Sequence, residues 1–370
     1  MIIIIMISVF IIGAGGISGN HIEGYSALSE RVCITAIADA DKTRAESLVQ
    51  KHGLSAKVYG DYREALSEQV FQIASICTPP GTHCEIALDC LNAGIHILLE
   101  KPMAPSLSEC DAIISAAEKK KRLVSVVAQN RYTTHVWNVK RLLDEGHCGK
   151  LLYSQAYSVW WRGSAYYDTD WRGSWERAGG GCTLNLAVHY IDLLLWIAGK
   201  PKALTAFMTN IYHSNAQVED ISMAYMRFES GSVGELTCSQ IHHGEERKLV
   251  FQTERAALEI PFSVRCSKAK PGGFPEADPQ TQTEIEAIYK RYPPLFQEGH
   301  IGQIMDFVQA VETEKDSSAL LLTGHTGREA VEVVTGIYKS AVTEKTVRLP
   351  IAETDPFYSR ERMLALMPRY

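Results

Sequence analysis

The first 128 residues alternate short apolar runs with amphipathic stretches, and no other feature of the sequence limits the fold more. The apolar runs are "ISVFII", "VCITAIA", "IASIC", "IHILLE" and "LVSVVA". Helices are predicted near residues 16–29, 42–52, 61–68, 82–93 and 106–121, with Thr82 and the capping-box pair Ser106 and Glu109 at two of the starts. Strands that alternate with helices form a parallel sheet covered on both faces. The sequence therefore predicts an α/β domain over residues 1–129.

The pattern changes after a helix predicted over residues 131–145. Long alternating runs follow, among them "KLLYSQAYSVWW", "ISMAYMRFES" and "SVGELTCSQIHH". They predict an α+β domain over residues 130–350 with a large, mostly antiparallel open sheet. Residues 267–299 are rich in Pro, Gly and Gln and are predicted as a surface excursion, with helices near 300–314 and 325–342 and a tail over 351–370.

Charge and cysteine content exclude several classes of protein. The chain has 370 residues with 37 basic and 43 acidic side chains, a formal net charge of -6, which does not favour a nucleic-acid partner. Its nine cysteines include no Cys-x-x-Cys pair, which argues against a disulfide framework or zinc ribbon and favours the cytoplasm. The opening "MIIIIMISVFII" lacks a basic start and is too short to span a bilayer, so no membrane partner is expected. Residues 7–12 are predicted as a buried strand, preceded by a hydrophobic extension.

The segment "FIIGAGGISGNH" places Gly13, Gly15 and Ser18 between a strand and a helix with dinucleotide-binding spacing. Gly13 would permit the tight turn, and Gly15 the close approach of a pyrophosphate. Asp39 ends the second strand, where a carboxylate accepts the ribose hydroxyls and repels a 2'-phosphate, which favours NAD over NADP. The spacing alone also fits a purely structural turn, Asp39 could instead cap the next helix, and Arg44 nearby would tolerate a phosphate.

Two further segments end strands of the predicted parallel sheet. "CTPPGTH" follows one strand and "EKP" follows the next, so Thr78, His83, Glu100 and Lys101 are predicted to point to one rim. Spacing alone leaves open that Lys101 forms an ordinary surface ion pair.

An apolar helix predicted within residues 179–199 carries three polar groups on one side. At 100° per residue Asn185, His189 and Asp192 fall on a face about 60° wide. Such a face can line a cleft, and the glycines at 179–181 would let the backbone approach a ligand. The alternative is that His189 and Asp192 are core residues satisfied by neighbouring backbone.

Aromatic and charged residues are concentrated over 159–181, "VWWRGSAYYDTDWRGSWERAGGG". Aromatic rings stack on sugars while Arg and Asp bind hydroxyls, which makes Tyr167, Asp168 and Arg172 candidate substrate residues. An oligomer interface would use the same residue types. Candidate histidines elsewhere, such as His135 and the pair at 242 and 243, lack partners with metal-ligand spacing, so no metal is predicted.

Taken together, "GAGGIS", "AIAD", "CTPPGTH", "AGIHILLEKPMA", "NRY" and "GGGCTLNLAVHYIDLLLWIAGKP" resemble the Gfo/Idh/MocA family of NAD(P)-dependent oxidoreductases over nearly the whole chain. The resemblance implies a dinucleotide-binding Rossmann domain over 1–129 and a substrate-binding and oligomerisation domain over 130–350. It implies that Lys101 lies beside the nicotinamide and that His189 accepts a proton. The predicted cofactor contacts are Gly13, Gly15, Gly16, Ile17, Ser18, Asp39, Thr78, Pro79, His83, Glu100, Lys101 and Asn130. The predicted substrate contacts are Arg131, Tyr167, Asp168, Arg172, Asn185 and His189.

One position departs from the family pattern. Many sugar dehydrogenases of the family have Asp four residues before the histidine, where this chain has Asn185, and an amide supplies no negative charge to an imidazolium. The function predicted is NAD-dependent oxidation of a secondary hydroxyl of a sugar, glycoside or cyclic polyol. Two alternatives remain, a glycoside-cleaving enzyme that uses transient oxidation by bound NAD and a non-catalytic NAD/sugar-binding regulator. Relatives commonly pair through the open sheet face, so a homo-oligomer is expected.

Overall fold

The structure is a computed structural model that describes residues 6–169 and 171–370. The predicted extension over residues 1–5 lies outside the described residues. Contacts divide the chain into two compact units. The first unit contains residues 6–129, 176–179 and 297–331, and the second contains 130–175, 180–296 and 332–370.

The N-terminal part of the first unit alternates strands and helices as predicted. The strands are β1 (Ile7–Ile12), β2 (Val32–Ala38), β3 (Lys57–Tyr59), β4 (Ile73–Ile76), β5 (His96–Leu99) and β6 (Val124–Val126). The helices are α1 (Ser18–Ser26), α2 (Lys42–His52), α3 (Tyr62–Glu68), α4 (His83–Asn92) and α5 (Leu107–Lys120). Ser106 caps α5 and its hydroxyl bonds to Glu109, which confirms the capping box. Thr82 precedes α4, but its side chain bonds to Thr78 and Pro79 and does not cap the helix.

These six strands form one parallel sheet in the order β3-β2-β1-β4-β5-β6. Every residue of β4 is buried, as expected for a central parallel strand covered on both faces. Register aligns the carboxyl ends of three neighbouring strands, since Ile12 pairs with Ile76 and Ile76 pairs with Leu99. The residues that follow β1, β4 and β5 therefore share one edge of the sheet.

The rest of the chain is richer in strands. They are β7 (Leu151–Trp161), β8 (Pro201–Thr209), β9 (Ile221–Phe228), β10 (Val233–Ser239), β11 (Ile241–Thr253), β12 (Ala257–Ile260), β13 (Ser263–Arg265), β14 (Ser267–Ala269), β15 (Pro275–Ala277) and β16 (Val347–Arg348). The helices are α6 (Thr134–Asp144), α7 (Trp175–Ala178), α8 (Val188–Ala198), α9 (Pro279–Arg291), α10 (Gly299–Glu312), α11 (Gly324–Thr343) and α12 (Arg360–Leu364).

Helix α10 belongs to the first unit although it follows the second-unit strands in sequence. Ile304 and Phe307 are buried in the same hydrophobic core as β1, and the Gln303 side chain donates to the Val126 carbonyl at 2.9 Å and accepts from the Ala128 amide at 3.1 Å. The predicted contiguous division at 129 and 350 differs from these units, because 297–331 pack with the first. The predicted tail over 351–370 packs within the second unit, where Phe357 and Met363 are buried.

The second unit is built on an eight-stranded sheet in the order β13-β12-β11-β7-β10-β9-β8-β16. Its strand pairs are antiparallel except for β7 with β10, which is parallel. Along β9 buried and exposed residues alternate, so one face of the sheet lies in the core and the other is open. Helix α8 packs against β7. The predicted mostly antiparallel open sheet is confirmed.

Three local features were not predicted. The short strands β3 and β16 carry too few residues for a periodic signal. The predicted surface excursion over 267–299 contains the hairpin β14–β15 and the 13-residue helix α9, whose Asp278 accepts a capping hydrogen bond from Thr281. The helix predicted within 179–199 begins as a π-helix over Thr183–Ala187 before α8.

One apolar stretch, Trp175–Ala198, is long enough by length and composition to cross a membrane. It has 24 residues, and 61% of its most apolar window is buried inside the protein. A core helix of a soluble protein passes the same test, so this stretch is weak evidence for a membrane span.

Candidate functional site

The glycine-rich turn after β1 is shaped by one glycine and left open by two others. Gly13 has φ +99°, and a Cβ there would lie 2.8 Å from the Cys77 carbonyl group. A Cβ on Gly15 or Gly16 would meet no described atom within 4 Å. Gly13 is therefore required by the fold, whereas Gly15 and Gly16 leave free space above the turn. Such space next to the start of α1 fits the phosphates of a dinucleotide.

Two flanking residues fix this turn. Ser18, fully buried at the start of α1, donates its hydroxyl proton to the Gly15 carbonyl. Asp39 follows β2, and its carboxylate accepts from the Ala14 amide at 2.6 Å and from the Asp41 amide at 2.8 Å. The alternative that Asp39 caps α2 is wrong, because Asp41 does so by accepting from the Thr43 amide at 3.2 Å. Asp39 thus presents its charge at the turn.

The residues after β4 and β5 are joined by a buried histidine. The ring nitrogens of His83 lie 2.9 Å from the Pro102 carbonyl and 2.8 Å from the Thr78 carbonyl. The ring is fully buried, and burial lowers the pKa of His83. The ring of His83 therefore lies between the "EKP" segment and the loop after β4, where its one N–H in the neutral form donates to one of the two carbonyls, and contact between the ring and a cofactor stays a prediction.

Lys101 follows a buried carboxylate. Glu100 accepts from the Lys101 amide at 3.1 Å and bonds to His21 Nε2 at 2.9 Å. Burial alone would raise the pKa of Glu100, but the hydrogen bond from His21 and the nearby His300 ring outweigh it and hold that pKa well below its usual range. Glu100 is therefore an anion that anchors the backbone at Lys101, whose side chain is half-buried.

His21, Glu100 and His300 form a cluster that the sequence analysis missed. Their ligating atoms all lie within 4.8 Å of one another, and these donors are of kinds that ligate zinc. His300 Nε2 is 3.8 Å from the Glu100 carboxylate and has no hydrogen-bond partner among the described residues. His300 lies in α10, some 200 residues after Glu100 in the sequence, so no local spacing could have indicated that it belongs to the cluster.

In the second unit, the predicted polar face divides into two parts. Asn185 lies in the π-helix and His189 in the first turn of α8, and both are half-buried. The Asn185 amide donates to the Gly180 and Gly181 carbonyls at 2.6 and 3.2 Å. Asp192 is buried with only 4% exposed. Because π-turns occur often at functional sites, the accessible pair 185 and 189 remains the candidate part of this face.

Asp192 is a core residue whose carboxylate accepts hydrogen bonds from another side chain. Arg131 donates from Nε at 2.8 Å and from Nη2 at 2.7 Å to its two carboxylate oxygens. Both side chains are almost fully buried. The partner is a guanidinium and not the neighbouring backbone that the sequence analysis considered. Arg131 therefore fixes α8 in place, and a direct contact between Arg131 and substrate stays a prediction, as does the role of Asn130.

The glycines before the π-helix pack against protein atoms. A Cβ on Gly180 would lie 2.0 Å from the Tyr338 hydroxyl, and one on Gly181 would lie 1.9 Å from the Glu219 carbonyl oxygen. The Glu219 carboxylate accepts from the Gly181 and Thr183 amides at 2.9 and 3.0 Å, and burial raises its pKa. The expectation that these two glycines let the backbone approach a ligand is corrected, because the space is filled by the unit's own core.

The three candidate residues of the aromatic segment have different surroundings. Tyr167 is buried and donates its hydroxyl proton to Gln240. Asp168 is exposed and accepts from Asn215 at 2.8 Å. The Arg172 guanidinium lies over an aromatic ring, and its Nε is buried without a hydrogen-bond partner among the residues described. Tyr167 is therefore part of the interior of the unit, whereas a substrate contact of Asp168 or Arg172 stays a prediction.

Sequence profiles match most of the chain. Residues 7–128 match an oxidoreductase family, Gfo/Idh/MocA, with an NAD-binding Rossmann fold, and residues 136–269 match the Gfo/Idh/MocA C-terminal domain. The N-terminal part of the chain is therefore an NAD-binding Rossmann domain.

Relatives and solved structures agree with these profiles. Levoglucosan dehydrogenase of Pseudarthrobacter phenanthrenivorans is 25% identical over 287 residues, covering 70% of this chain and 73% of that protein. The scyllo-inositol 2-dehydrogenase (NADP(+)) IolW of Bacillus subtilis is 27% identical over 306 residues, covering 80% and 83%. The WlbA dehydrogenase of Bordetella pertussis, solved with NADH and UDP-GlcNAcA, superposes with a TM-score of 0.81 at 22% identity over 94% of this chain and 98% of that one. At this level of identity, the similarity to the WlbA dehydrogenase shows a shared fold alone.

Proposed function

Because this chain belongs to the Gfo/Idh/MocA family of oxidoreductases, we propose that it transfers a hydride between NAD and a secondary hydroxyl of a sugar, glycoside or cyclic polyol. The observation that carries the proposal is the shared edge of the parallel sheet. There the open turn after β1 and the anchored Lys101 after β5 are brought together by strand register. Relatives named as levoglucosan and inositol dehydrogenases support the substrate class.

The residues at this edge fit a dinucleotide. Gly15 and Gly16 leave free space above the turn, which supports binding of a pyrophosphate there, and the Asp39 carboxylate beside this turn is proposed to accept the ribose hydroxyls. We propose that Gly13, Ile17, Ser18, Thr78, Pro79, His83, Glu100 and Asn130 complete the binding site, several of them by shaping its backbone. NAD, when bound, supplies the hydride acceptor, and the negative charge of Asp39 favours it over NADP.

His189 and Lys101 are proposed to handle the proton and the charge of the reaction. His189, as a neutral imidazole, accepts the proton of the substrate hydroxyl. The Lys101 ammonium stabilises the negative charge that develops on the oxygen. Asn185 donates to backbone carbonyls and supplies no charge, so its role is to hold the ring or a substrate hydroxyl. Arg131, Tyr167, Asp168 and Arg172 complete the proposed substrate contacts.

A panel of sugars, inositols and glycosides incubated with NAD or NADP tests the proposal. Absorbance at 340 nm reports net hydride transfer, and mass spectrometry identifies the products. A rise in absorbance with a ketone product is expected. Free sugar released from a glycoside at constant absorbance would show transient oxidation instead, and tight sugar binding without turnover would show a regulator. Either of these two outcomes would overturn the dehydrogenase proposal.

We propose that the protein works in the cytoplasm as a homo-oligomer without nucleic-acid or membrane partners. All nine cysteines are free thiols, which fits a reducing compartment. On the open sheet face Phe207 pairs with Met223, and Tyr225 lies next along β9, with 61%, 43% and 68% exposed. Such an exposed apolar patch favours pairing of two sheets. Light scattering on wild type and Phe207→Glu tests it, since a monomeric wild type would contradict the proposal.

A further inference from the structure

Two arginines of the second-unit sheet stand on either side of a small residue. Arg227 on β9 and Arg348 on β16 both pair with Ala203 on β8, the strand between them. Residues directly opposite one another in a sheet project to the same face. Two such pairings separate the Cα atoms of the arginines by about 10 Å, and only a methyl group stands between their side chains. We call Arg227, Ala203 and Arg348 the basic row.

The basic row lies on the open face of the sheet. Arg227 and Arg348 are exposed, whereas their chain neighbours Phe228 and Val347 are buried on the other face. Across the sheet the row is level with Tyr153, near the start of β7, through the pairings of β9 with β10 and of β10 with β7. The aromatic segment over 159–181 begins at the other end of β7. The basic row is therefore distinct from the proposed substrate residues of that segment.

The basic row lines a cavity of about 500 Å³. Small-molecule sites are clefts of roughly 300–1,000 Å³, so this volume suits a small ligand. Among the described residues that line the cavity none is acidic, and its other polar side chains are Lys202, Tyr153, Tyr225, Thr205 and Thr346. The hydroxyls of Thr205 and Thr346 are 2.9 Å apart and share one hydrogen bond, which leaves the second hydroxyl proton for a ligand.

The cations at this cavity are not balanced by the protein. Within residues 6–169 and 171–370, the side chains of Lys202, Arg227 and Arg348 form no hydrogen bond or ion pair. Glu235 on β10 projects to the same face, but it accepts from Gln155 at 2.8 Å and from the Tyr157 hydroxyl at 3.0 Å. With Glu235 counted, one negative charge stands against three positive charges. Such an excess attracts anions.

We propose that the basic row binds the phosphate group of a small phosphorylated ligand. A phosphate monoester carries a charge of about −1.5 to −2 at pH 7 and has three acceptor oxygens, so it can accept hydrogen bonds from both arginines at once. A carboxylate has two oxygens, which a single arginine satisfies. The rings of Tyr153 and Tyr225 offer aromatic surface to the rest of the ligand. This site is independent of the hydride transfer proposed above.

The apolar patch proposed for pairing of two sheets lies further along the same face. Phe207 and Met223 are each four residues from the row, at 203 on β8 and 227 on β9, or roughly 13 Å at the rise of a strand. Phe207→Ser removes a ring from that patch without adding charge. Its phosphate affinity should equal that of the wild type, whatever light scattering shows for its oligomeric state.

Phosphorus NMR titrations of inorganic phosphate and phenyl phosphate against the full chain test the site. The chain is first saturated with NAD, because the turn after β1 could otherwise hold a phosphate. We expect both probes to bind, and added sodium chloride to weaken both. Tighter binding of phenyl phosphate would indicate an ester that contacts the tyrosine rings, whereas equal binding would indicate recognition of the phosphate group alone. Acetate at equal ionic strength should compete poorly with either probe.

Matched variants separate the basic row from overall charge. Arg227→Gln and Arg348→Gln should each weaken phosphate binding roughly fivefold to tenfold at low salt, between the effects of an exposed ion pair and of a charge-assisted hydrogen bond. Ala203→Glu should abolish binding by giving both arginines an internal carboxylate, and Arg227→Lys should keep part of it. Arg265→Gln removes an arginine from the other edge strand, β13, where it pairs with Glu259, and should change nothing.

Equal phosphate affinity in the wild type and in the Arg227→Gln/Arg348→Gln double variant would overturn the proposed site, as would tighter binding of acetate than of phosphate. Melting temperatures confirm that each variant is folded. The readout is binding of the probes, so a chain that reduces NAD with no sugar of the panel would count against the proposed function alone.

Discussion

The two units hold their candidate residues by different means. In the first unit the register of parallel strands places the turn after β1 and Lys101 at one edge, where the backbone amides of Ala14 and Lys101 donate hydrogen bonds to the carboxylates of Asp39 and Glu100. In the second unit Asn185 and His189 lie on a helix positioned by side-chain packing, through the Arg131 ion pair and the filled space beside Gly181. The difference teaches that the candidate residues of the first unit depend on topology, whereas those of the second depend on the fit of particular side chains.

The largest expected effect comes from removing one chemical group from each unit. Lys101→Ala and His189→Ala should each lower kcat by roughly 10²- to 10⁴-fold, because proton transfer and charge stabilisation are lost. Steady-state kinetics with the substrate found in the panel measure this. Thermal unfolding serves as control, since both side chains are half-buried and their loss should leave the fold intact. Near-normal turnover in both variants would contradict the assignment of the two residues.

The contrast between open and filled glycine positions predicts opposite outcomes for two alanine substitutions. Gly181→Ala places a Cβ 1.9 Å from the Glu219 carbonyl oxygen and should lower the free energy of unfolding by roughly 1–3 kcal/mol, as overpacking does. Gly15→Ala adds a methyl group to open space and should weaken NAD binding with little change in stability. Urea unfolding and calorimetry with NAD measure the two quantities. Equal loss of stability in both variants would remove the distinction between the units.

Cofactor choice tests the carboxylate at the first-unit turn. Asp39→Ser removes the charge that repels a 2'-phosphate, so the ratio of kcat/KM for NAD to that for NADP should fall, by roughly tenfold if one charge-assisted hydrogen bond is lost. Asp41→Ser, which changes the neighbouring carboxylate that caps α2, is the matched control. An unchanged ratio in the Asp39 variant would show that Asp39 only braces the Ala14 amide.

The smallest expected effect concerns the pH dependence of the free energy of unfolding, and it arises from one histidine of the first unit. Burial lowers the pKa of His96 to about 4, with the charge of Arg122 adding to the effect; Nδ1 accepts from the Leu123 amide at 3.0 Å. Between pH 6.5 and about 4 the unfolded chain binds this proton and the folded chain does not, so stability falls as pH falls through that window. His96→Asn keeps an acceptor and should give a flatter profile. Urea unfolding at pH 7, 6 and 5 measures it, and parallel profiles would contradict the expectation.

The accuracy of the sequence-based predictions also differs between the two units. Helix α2 was predicted with its bounds, residues 42–52, and β1 and β2 were predicted residue by residue, because period and turn residues are local signals. The burial of Asp192 with Arg131, 61 residues away, has no such signal. Neither has the contact of Gly181 with Glu219, which turned an expected ligand contact into core packing. The π-helix also shifted the phase that the 100° rule assumed. Long-range contacts between side chains therefore set the limit of prediction.

The return of α10 to the first unit has a consequence for synthesis on the ribosome. Residues 1–129 emerge first, but Ile304 and Phe307, which share their core with β1, emerge about 175 residues later, the difference between 304 and 129. At roughly 5–20 residues per second the growing chain waits about 9–35 s for these side chains. During that interval the nascent domain exposes the apolar surface that Ile304 and Phe307 cover in the folded protein. A recombinant fragment ending at residue 129 would keep that exposed surface permanently.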